Sequence, residues 1–352
     1  MDTKMSTDTN LYQRAFKTLL ERKRLDALII YANAYDDRYM KVLSGTYAVL
    51  QNYLMITKDS LSISVSRYLL SDLRTRTREE LLPAESEEGV IEPIKEKLGT
   101  NKRIGIIGAC KFLDIRKLKP VSVTDLTAEA EILIRFKSDR YITAMKKYAN
   151  SLATIMDRCK IHEGKYQLEI STSLQTQAIA REGSLAFPIC ITSGRDLYRS
   201  TAMLARKKRI LSQDIICIDM GLKKGIYTTD RTRMYFVNMP KAKHLYEEIR
   251  KHHNEIISTV VTPGVYSHSL VNEYRRRLAA YDEIRRVRSD DLGHGIGFTL
   301  HEKPFLEQKT ERFERNMIFT IEPTFVTSFG LMRIEDMVGI LSTGKVINLT
   351  KH

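Results

Sequence analysis

The sequence predicts two folded domains, an α/β domain over residues 1–133 and an α+β domain over residues 134–352. The chain has 352 residues, 43% of them hydrophobic and 28% charged, which is enough for two separate cores. Helix and strand patterns alternate in the first third of the chain, whereas the rest is rich in strand-like segments that suit antiparallel pairing. An amphipathic helix pattern follows the boundary near residue 134.

The first domain is predicted from alternating helical and extended patterns. Its elements are, in order, a helix at residues 12–24, strands at 27–31, 53–57 and 61–65, a helix at 92–98 and a strand at 103–107. Asp59 and Ser60 mark the turn of a hairpin between the second and third strands. This order is typical of an α/β domain.

The second domain opens with a helix whose apolar residues recur at helical spacing: Ile142, Met145, Ala149, Leu152 and Ile155. Strands are then predicted at residues 187–192, 214–220 and 226–237, helices at 244–261 and 271–280, and further strands between 317 and 346. Pro263-Gly264 ends the first of these helices. Strands in this order predict an α+β domain.

Composition narrows the functional class. No apolar run approaches the roughly 20 residues that span a bilayer, and the first ten residues are polar, so we expect a cytoplasmic protein with no membrane partner. The four cysteines form no Cys-x-x-Cys pair, and Cys190 and Cys217 are expected as buried thiols in strands. The net charge of +14 comes from scattered basic clusters, which indicates a solvated surface and argues against a nucleic-acid partner.

Two aspartates lie on adjacent strand-like runs. A two-residue turn at Lys223-Lys224 would place Asp219 opposite Thr228, with Asp230 two residues further on the same face. A shift of one residue would place the two aspartates directly opposite. Either register puts both carboxylates on one face, where they repel each other unless a cation lies between them. The pattern therefore indicates a metal site.

Three more segments carry candidate ligands. His294 is flanked by glycines that allow close backbone approach, and His301 follows seven residues later. Glu322 and Glu335 each lie in an apolar, strand-like run, where an unpaired charge is costly. Carboxylates with one imidazole suit Mn²⁺, Fe²⁺ or Co²⁺ better than structural zinc, although Zn²⁺ is possible.

These segments, in this order, resemble the pita-bread metallopeptidases: prolidase, aminopeptidase P, methionine aminopeptidase and their relative creatinase. The matching motifs are Asp219-Met-Gly221, Tyr227-Thr-Thr-Asp230-Arg-Thr-Arg233, Gly293-His-Gly-Ile-Gly297, His301-Glu-Lys-Pro304, Glu322-Pro323 and Arg333-Ile-Glu-Asp336. The first domain resembles the creatinase-type N-terminal domain, and residues 133–138 resemble the family's linker. The resemblance covers nearly the whole chain.

The resemblance implies a site for two divalent metal ions. Its ligands would be Asp219, Asp230, His294, Glu322 and Glu335. In the family pattern Asp230 and Glu335 bridge the two ions, and a water between them becomes a nucleophile. Glu322 would accept and then donate a proton. His301 and Arg333 would contact the substrate or the developing oxyanion.

One departure from the family pattern concerns the substrate side. The peptidases carry another histidine after a Ser-Gly turn, at a position that falls near Thr201 here, and this chain has no histidine between His162 and His244. Arg195, Tyr198, Arg199 and Thr201 are instead expected to line that wall of the site. Guanidinium groups there would favour an acidic or polar substrate.

Three functions remain open at this point. The first is a metal-dependent hydrolase of the Xaa-Pro dipeptidase or aminopeptidase P type. The second is a creatinase-like hydrolase or lyase of a small, non-peptide and acidic substrate, which the missing histidine favours. The third is a non-catalytic basic binding protein on the same fold, against which the complete ligand set argues. The resemblance also implies a homodimer, and the unassigned histidines His252, His253 and His268 are expected on the surface.

Overall fold

The computed structural model describes residues 6–48, 50–181, 183–290, 292–307 and 309–350. The chain divides into two compact units, Met1–Ile134 and Arg135–His352. The predicted boundary lies one residue before this division. The outermost residues of the two predicted domains, 1–5 and 351–352, lie outside the described part of the chain.

The first unit is built on one six-stranded sheet. Its strands are β1 (Ala27–Ala32), β2 (Asn52–Ile56), β3 (Leu61–Ser66), β4 (Glu80–Ala84), β5 (Arg103–Ile107) and β6 (Ser122–Asp125). Its helices are α1 (Ser6–Arg22), α2 (Arg38–Ser44), α3 (Leu70–Arg74), α4 (Glu92–Leu98), α5 (Phe112–Lys117) and α6 (Thr127–Ile134). The strand order is β4-β3-β2-β1-β5-β6, in which the β1–β2 and β2–β3 pairs are antiparallel and the others parallel.

Helices fill the crossovers to the parallel strands of this sheet, as right-handed β-α-β connections require. Ile29 and Ile104 of neighbouring strands pack with Ile94 of α4 and Leu118 in the apolar core. The predicted α/β class is confirmed, and α4 and β5 have the predicted bounds.

The second unit contains four α-helices, a short 3-10 helix (Gly194–Tyr198) and fourteen strands among its described residues. The helices are α7 (Asp139–Asp157), α8 (Gln167–Ile179), α9 (Pro240–Val260) and α10 (Ser269–Arg277). The strands are β7 (Ser184–Leu185), β8 (Cys190–Ser193), β9 (Ile215–Met220), β10 (Leu222–Lys224), β11 (Tyr227–Thr228), β12 (Arg231–Phe236), β13 (Ile284–Val287), β14 (His294–Gly295), β15 (Glu302–Phe305), β16 (Met317–Ile321), β17 (Thr324–Thr327), β18 (Gly330–Arg333), β19 (Asp336–Ile340) and β20 (Val346–Asn348).

These strands form four antiparallel sheets, which confirms the α+β class. Their orders are β11-β10-β7, β12-β9-β8, β13-β17-β18 and β15-β14-β16-β19-β20. The predicted amphipathic helix is α7, which Ser138 caps by accepting a 3.1 Å hydrogen bond from the amide of Tyr141. Its buried face includes Leu152 and Met156, which pack against Ile216 and Ile218 of β9.

The hairpin that carries the two aspartates has a different turn from the predicted one. Lys223 pairs with Thr228 and Lys224 with Tyr227, so the two-residue turn is Gly225-Ile226 rather than Lys223-Lys224. Gly225 has a φ of +56°, a conformation that glycine adopts without strain. Asp219 pairs with Thr232, so the predicted pairing with Thr228 and the alternative pairing with Asp230 were both wrong.

Three further expectations concern single features. Cys217 is a buried strand thiol as expected, whereas Cys190 lies in a strand but is only partly buried. His253 was expected on the surface, and that expectation was wrong, because its side chain is completely buried. No helix in the described ranges has the length and apolar character needed to cross a bilayer.

Candidate metal centre

The first two predicted ligands lie on the β9–β12 strand pair. Asp219 in β9 is paired with Thr232 in β12, and Asp230 lies in the short interruption just before β12. Asp230 is two residues from Thr232, so side-chain alternation still directs both aspartates to one face. The charge of Asp219 raises the pKa of Asp230, as expected for two carboxylates that lie close together. The predicted proximity of the two carboxylates therefore holds despite the different turn.

His294 reaches the site from β14, where the chain passes very close to its neighbours. A Cβ atom on Gly293, whose φ is +133°, would lie 2.1 Å from the carbonyl oxygen of Thr320. The His294 Nδ1 atom lies 3.0 Å from the carbonyl oxygen of Gly295, which can only accept a hydrogen bond. The ring is therefore the Nδ1–H tautomer, and Nε2 presents a lone pair suited to a metal.

The two glutamates come from the β16 and β19 region of the five-stranded sheet. Glu322 follows β16 and accepts hydrogen bonds from Arg333 Nη1 at 3.0 Å and from Thr320 Oγ1 at 3.3 Å. Glu335 precedes β19, and its Oε2 atom accepts a 2.8 Å bond from Thr232 Oγ1. Each glutamate is thus held by neighbouring strands before any ligand binds.

The predicted ligands converge. Ligand atoms of Asp230, His294 and Glu335 all lie within 4.8 Å of one another. The Nε2 atom of His294 lies 3.4 Å from Glu322 Oε1 and 3.9 Å from Asp230 Oδ2. Asp219 lines the same cavity as Asp230, His294 and Glu322, so the fold brings together all five residues that the sequence singled out.

Burial makes this group of carboxylates electrostatically unstable by itself. Burial raises the pKa of Asp219 to about 6, with Arg333 acting in the opposite direction. Burial, and then the charges of Glu335 and Asp219, raise the pKa of Asp230 well above its usual value. Burial and then Glu322 do the same to the pKa of Glu335. A bound cation would remove this mutual repulsion.

The hydrogen-bonding pattern supports the same conclusion. Among the described residues, Asp219 Oδ1, Asp230 Oδ1 and Glu335 Oε1 are buried and accept no hydrogen bond. Such oxygens are costly in a folded protein unless an ion satisfies them. Four carboxylates and one imidazole, with three oxygens left over, fit divalent metal ions that prefer oxygen and nitrogen ligands.

A cavity of about 360 Å³ opens onto these residues. Its lining is Phe187, Cys190, Ala202, Asp219, Asp230, Asp290, Gly293, His294, Leu300, His301, Phe305, Glu307, Glu322 and Arg333. The ring of His301 lies 4.3 Å from that of His294, measured between centroids. Arg333 also donates a 2.9 Å hydrogen bond from Nε to Thr324 Oγ1, so its position is fixed from two sides. Both residues are placed where they could meet a substrate.

The predicted substrate wall is not formed by the residues expected. Arg195, Tyr198 and Arg199 are exposed, and the Tyr198 hydroxyl donates a 3.4 Å hydrogen bond to the carbonyl oxygen of Ser328. Thr201 is buried. Among the described residues that line the cavity, this segment contributes Ala202 and none of those four. Neither Arg195 nor Arg199 therefore lines the cavity, and the reason for expecting an acidic substrate no longer holds.

A buried ion pair under the site was not anticipated. Lys137 is fully buried and paired with Glu302, which is 2% exposed. Glu302 also accepts a 2.8 Å hydrogen bond from the amide of Thr299. The pair thereby anchors the loop between His294 and His301. Both members lie in segments that the family resemblance included, but nothing in the sequence paired them.

A second buried network lies behind Glu335. Arg233 donates hydrogen bonds to the backbone carbonyl of Glu335 and to the carboxylate of Asp336. His253 Nε2 lies 3.3 Å from the Asp336 carboxylate, and its Nδ1 is 2.6 Å from the Tyr274 hydroxyl. The network holds the backbone on either side of a predicted ligand. Sequence spacing could not reveal it, because its members come from four separate segments.

A buried cluster of carboxylates and a histidine that opens onto a cavity is typical of metal-dependent hydrolases. The model of metallopeptidase family M24 matches residues 141–341, more than half of the chain. The chain belongs to this family of metal-dependent peptidases and is an enzyme, as the sequence motifs predicted.

Two relatives are similar to the chain over most of their length. It is 27% identical to the Xaa-Pro dipeptidase of Pyrococcus horikoshii over 338 residues, which cover 92% of this chain and 93% of the relative. It is 26% identical to the Xaa-Pro dipeptidase of Pyrococcus furiosus over 315 residues, 86% of this chain and 88% of that one. The crystal structure of the prolidase from Pyrococcus horikoshii superposes with a TM-score of 0.82 at 22% identity, covering 97% of this chain and 98% of the other. The structural likeness confirms the pita-bread fold.

Proposed function

We propose that the chain is a two-metal Xaa-Pro dipeptidase that cleaves short peptides before proline. The observation that carries the proposal is the convergence of four carboxylates and one imidazole, with three buried oxygens that lack a partner among the described residues. Such a set serves no purpose in a binding module. The two Xaa-Pro dipeptidases that resemble the chain over most of its length support the choice of substrate.

In this proposal Asp219, Asp230, His294, Glu322 and Glu335 hold two divalent ions, Mn²⁺, Fe²⁺ or Co²⁺ in preference to Zn²⁺. When bound, the ions would make water acidic enough to ionise near neutral pH and would polarise the scissile carbonyl. Asp230 and Glu335 would be the bridging ligands. Thr232, which donates to Glu335 Oε2, leaves the other oxygen of that carboxylate available for an ion.

Glu322 is the proposed proton carrier. Arg333 and Thr320 each donate a hydrogen bond to it, so the carboxylate is oriented before the substrate arrives. It would accept a proton from the attacking water and pass it to the nitrogen of the departing proline.

His301 and Arg333 are the proposed substrate contacts. His301 is exposed at the cavity beside His294, where its imidazole could donate a hydrogen bond to the substrate carbonyl as negative charge develops there. Arg333 would act mainly through Glu322, because two of its donors are already used within the site. His301 is thus the better candidate for direct contact with the substrate.

The experiment that tests the function is a dipeptide panel. We expect protein loaded with Mn²⁺, Fe²⁺ or Co²⁺ to release proline from Xaa-Pro dipeptides and to leave the matching Xaa-Ala dipeptides largely intact. Chelation should abolish the activity, and elemental analysis should find about two ions per chain. Metal-loaded protein that cleaves neither series would contradict the proposal.

A second candidate is a creatinase-like enzyme acting on a small non-peptide substrate. The observation that favours it is that no histidine occurs between His162 and His244, so the leaving-group side lacks the imidazole of the peptidases. A hydroxyl such as that of Thr201 does not titrate near neutral pH and cannot replace it. Turnover of Xaa-Pro dipeptides below about 1 s⁻¹ with both metal positions filled would favour this candidate.

The proposal also includes the oligomeric state of the protein and its location in the cell. We propose a homodimer acting in the cytoplasm, in line with the family resemblance. Light scattering of the purified chain at micromolar concentration tests the first statement, and fractionation of cells that express it naturally tests the second. A monomer with full dipeptidase activity would remove the dimer from the proposal.

A further inference from the structure

The acidic side chains that line the cavity fall into two groups. Asp219, Asp230 and Glu322 belong to the proposed metal centre, whereas Asp290 and Glu307 are exposed and lie at the cavity mouth. Carboxylates at the mouth would meet the part of a substrate that extends away from the metal ions. The carboxylates at the cavity mouth therefore affect which substrates the enzyme prefers.

The two carboxylates at the mouth differ in their partners. Asp290 accepts two hydrogen bonds from the guanidinium of Arg288, at 3.0 Å and 2.7 Å, and these lower its pKa to about 2. Its charge is thus already paired. Glu307 makes no ion pair or side-chain hydrogen bond with any residue of the described ranges. It is the carboxylate at the mouth whose charge is available to a ligand.

The position of Glu307 follows from strand β15. Phe305, the last residue of β15, and Glu307 both line the cavity, while Leu306 between them is 1% exposed and packs into the core. This alternation directs Glu307 to the same side as Phe305. The pairing of β15 with β14, the strand of His294, fixes the distance of this wall from the metal centre.

Part of the cavity wall is apolar and aromatic. Phe187, Leu300 and Phe305 line it. Such a surface suits the methylene groups of a long side chain, and aromatic rings also attract a nearby cation. An aliphatic stem against this wall would carry a terminal positive charge towards Glu307.

We propose that Glu307 makes the enzyme prefer substrates whose variable residue carries a cationic side chain, lysine or arginine. The inference rests on the proposed function, since it assigns the Xaa side chain of an Xaa-Pro substrate to this wall. It replaces the acidic substrate expected from Arg195 and Arg199, which do not line the cavity.

The test compares dipeptides that differ in charge but little in length: Lys-Pro, Met-Pro and Glu-Pro. The readout is the ratio of kcat/KM for Lys-Pro to that for Met-Pro. We expect Glu307→Gln to lower this ratio about two- to fivefold, the size of a solvent-exposed ion pair. Glu307→Lys should lower it further and shift the preference towards Glu-Pro. High salt should reduce the wild-type preference, because the pair is screened.

Glu163→Gln is the matched control. Glu163 is exposed, carries the same charge and is not among the cavity residues, so its removal should leave the ratio as in the wild type. The inference is overturned if both Glu307 variants keep the wild-type ratio, or if Glu163→Gln lowers it equally. It is also overturned if Glu307→Gln slows all three dipeptides by the same factor, which would mean recognition of the α-ammonium group.

Failure of the proposed function can be told apart from failure of this inference. If the metal-loaded wild type hydrolyses none of the three dipeptides, the proposed function is wrong. The preference for Lys-Pro over Met-Pro is then measured as the ratio of their dissociation constants, obtained by calorimetry. Tighter binding of Lys-Pro that Glu307→Gln abolishes would support the charge preference alone. No measurable binding of any dipeptide would refute it.

Discussion

Removal of the buried lysine beneath the site should destabilise the second unit strongly. Lys137→Met keeps the unbranched stem and approximate volume but leaves the carboxylate of Glu302 buried at 2% exposure without its cation. Breaking a buried pair from one side costs about 3–5 kcal/mol. For a unit the size of Arg135–His352, each kcal/mol lowers the Tm by about 2–4 °C, so the expected fall is about 6–20 °C.

The assay is thermal unfolding followed by circular dichroism, with and without Mn²⁺. Lys243→Met is the matched control, because its pair with Glu247 spans 3.9 Å between side chains that are 62% and 53% exposed. It should cost less than about 1 kcal/mol. The double variant Lys137→Met/Glu302→Gln should regain much of the lost stability, since the introduced amide can still accept a hydrogen bond from Thr299 without burying a charge.

Two results would refute this reasoning. One is a Tm for Lys137→Met no lower than that for Lys243→Met. The other is a double variant that is no more stable than Lys137→Met, since the cost would then come from lost packing rather than from an unpaired charge.

Three further predictions concern the metal centre and its surroundings. Asp230→Ala and Glu335→Ala should each reduce bound metal well below two ions per chain, and full metal content by elemental analysis would contradict the bridging roles. Glu322→Gln should lower kcat by about 10²–10⁴-fold without changing the far-ultraviolet spectrum, and activity within tenfold of wild type would exclude its role in proton transfer. Burial opposes ionisation of Asp336, but Arg233 holds its pKa well below the usual value. The ionised Asp336 carboxylate therefore contributes fully to the free energy of unfolding above about pH 5, and this contribution is lost as the pH falls below about 4. In Asp336→Asn, the free energy of unfolding, measured in the presence of a chelator, should depend less on pH in this acidic range.

The family could be predicted from the sequence, and so could the set of candidate metal ligands that the fold brings together. Metal ligation requires particular residue types in a fixed order, and five such residues within glycine-rich or strand-like contexts leave few alternatives. Side-chain alternation along strands is also a local property. The shared face of Asp219 and Asp230 was therefore predicted correctly even though the turn between their strands was assigned two residues too early.

The substrate wall could not be predicted in this way. The sequence suggested Arg195 and Arg199 because they occupy the place of a family motif, yet neither lines the cavity. No sequence pattern indicated Glu307, although it lies six residues after His301. Which side chains face a cavity depends on how a loop is folded against other strands, and a single segment does not carry that information.

The sequence by itself therefore determined the family and the candidate ligand set, because metal coordination depends on residue type and on local strand geometry. The tertiary structure alone decided which charges are buried together. Lys137 meets Glu302 across 165 residues of chain, and His253 lies against Asp336, although its sequence context suggested a surface position. Pairing over such separations results from the packing of whole elements around a common core, where buried polar groups must find partners, and local sequence patterns do not specify those partners.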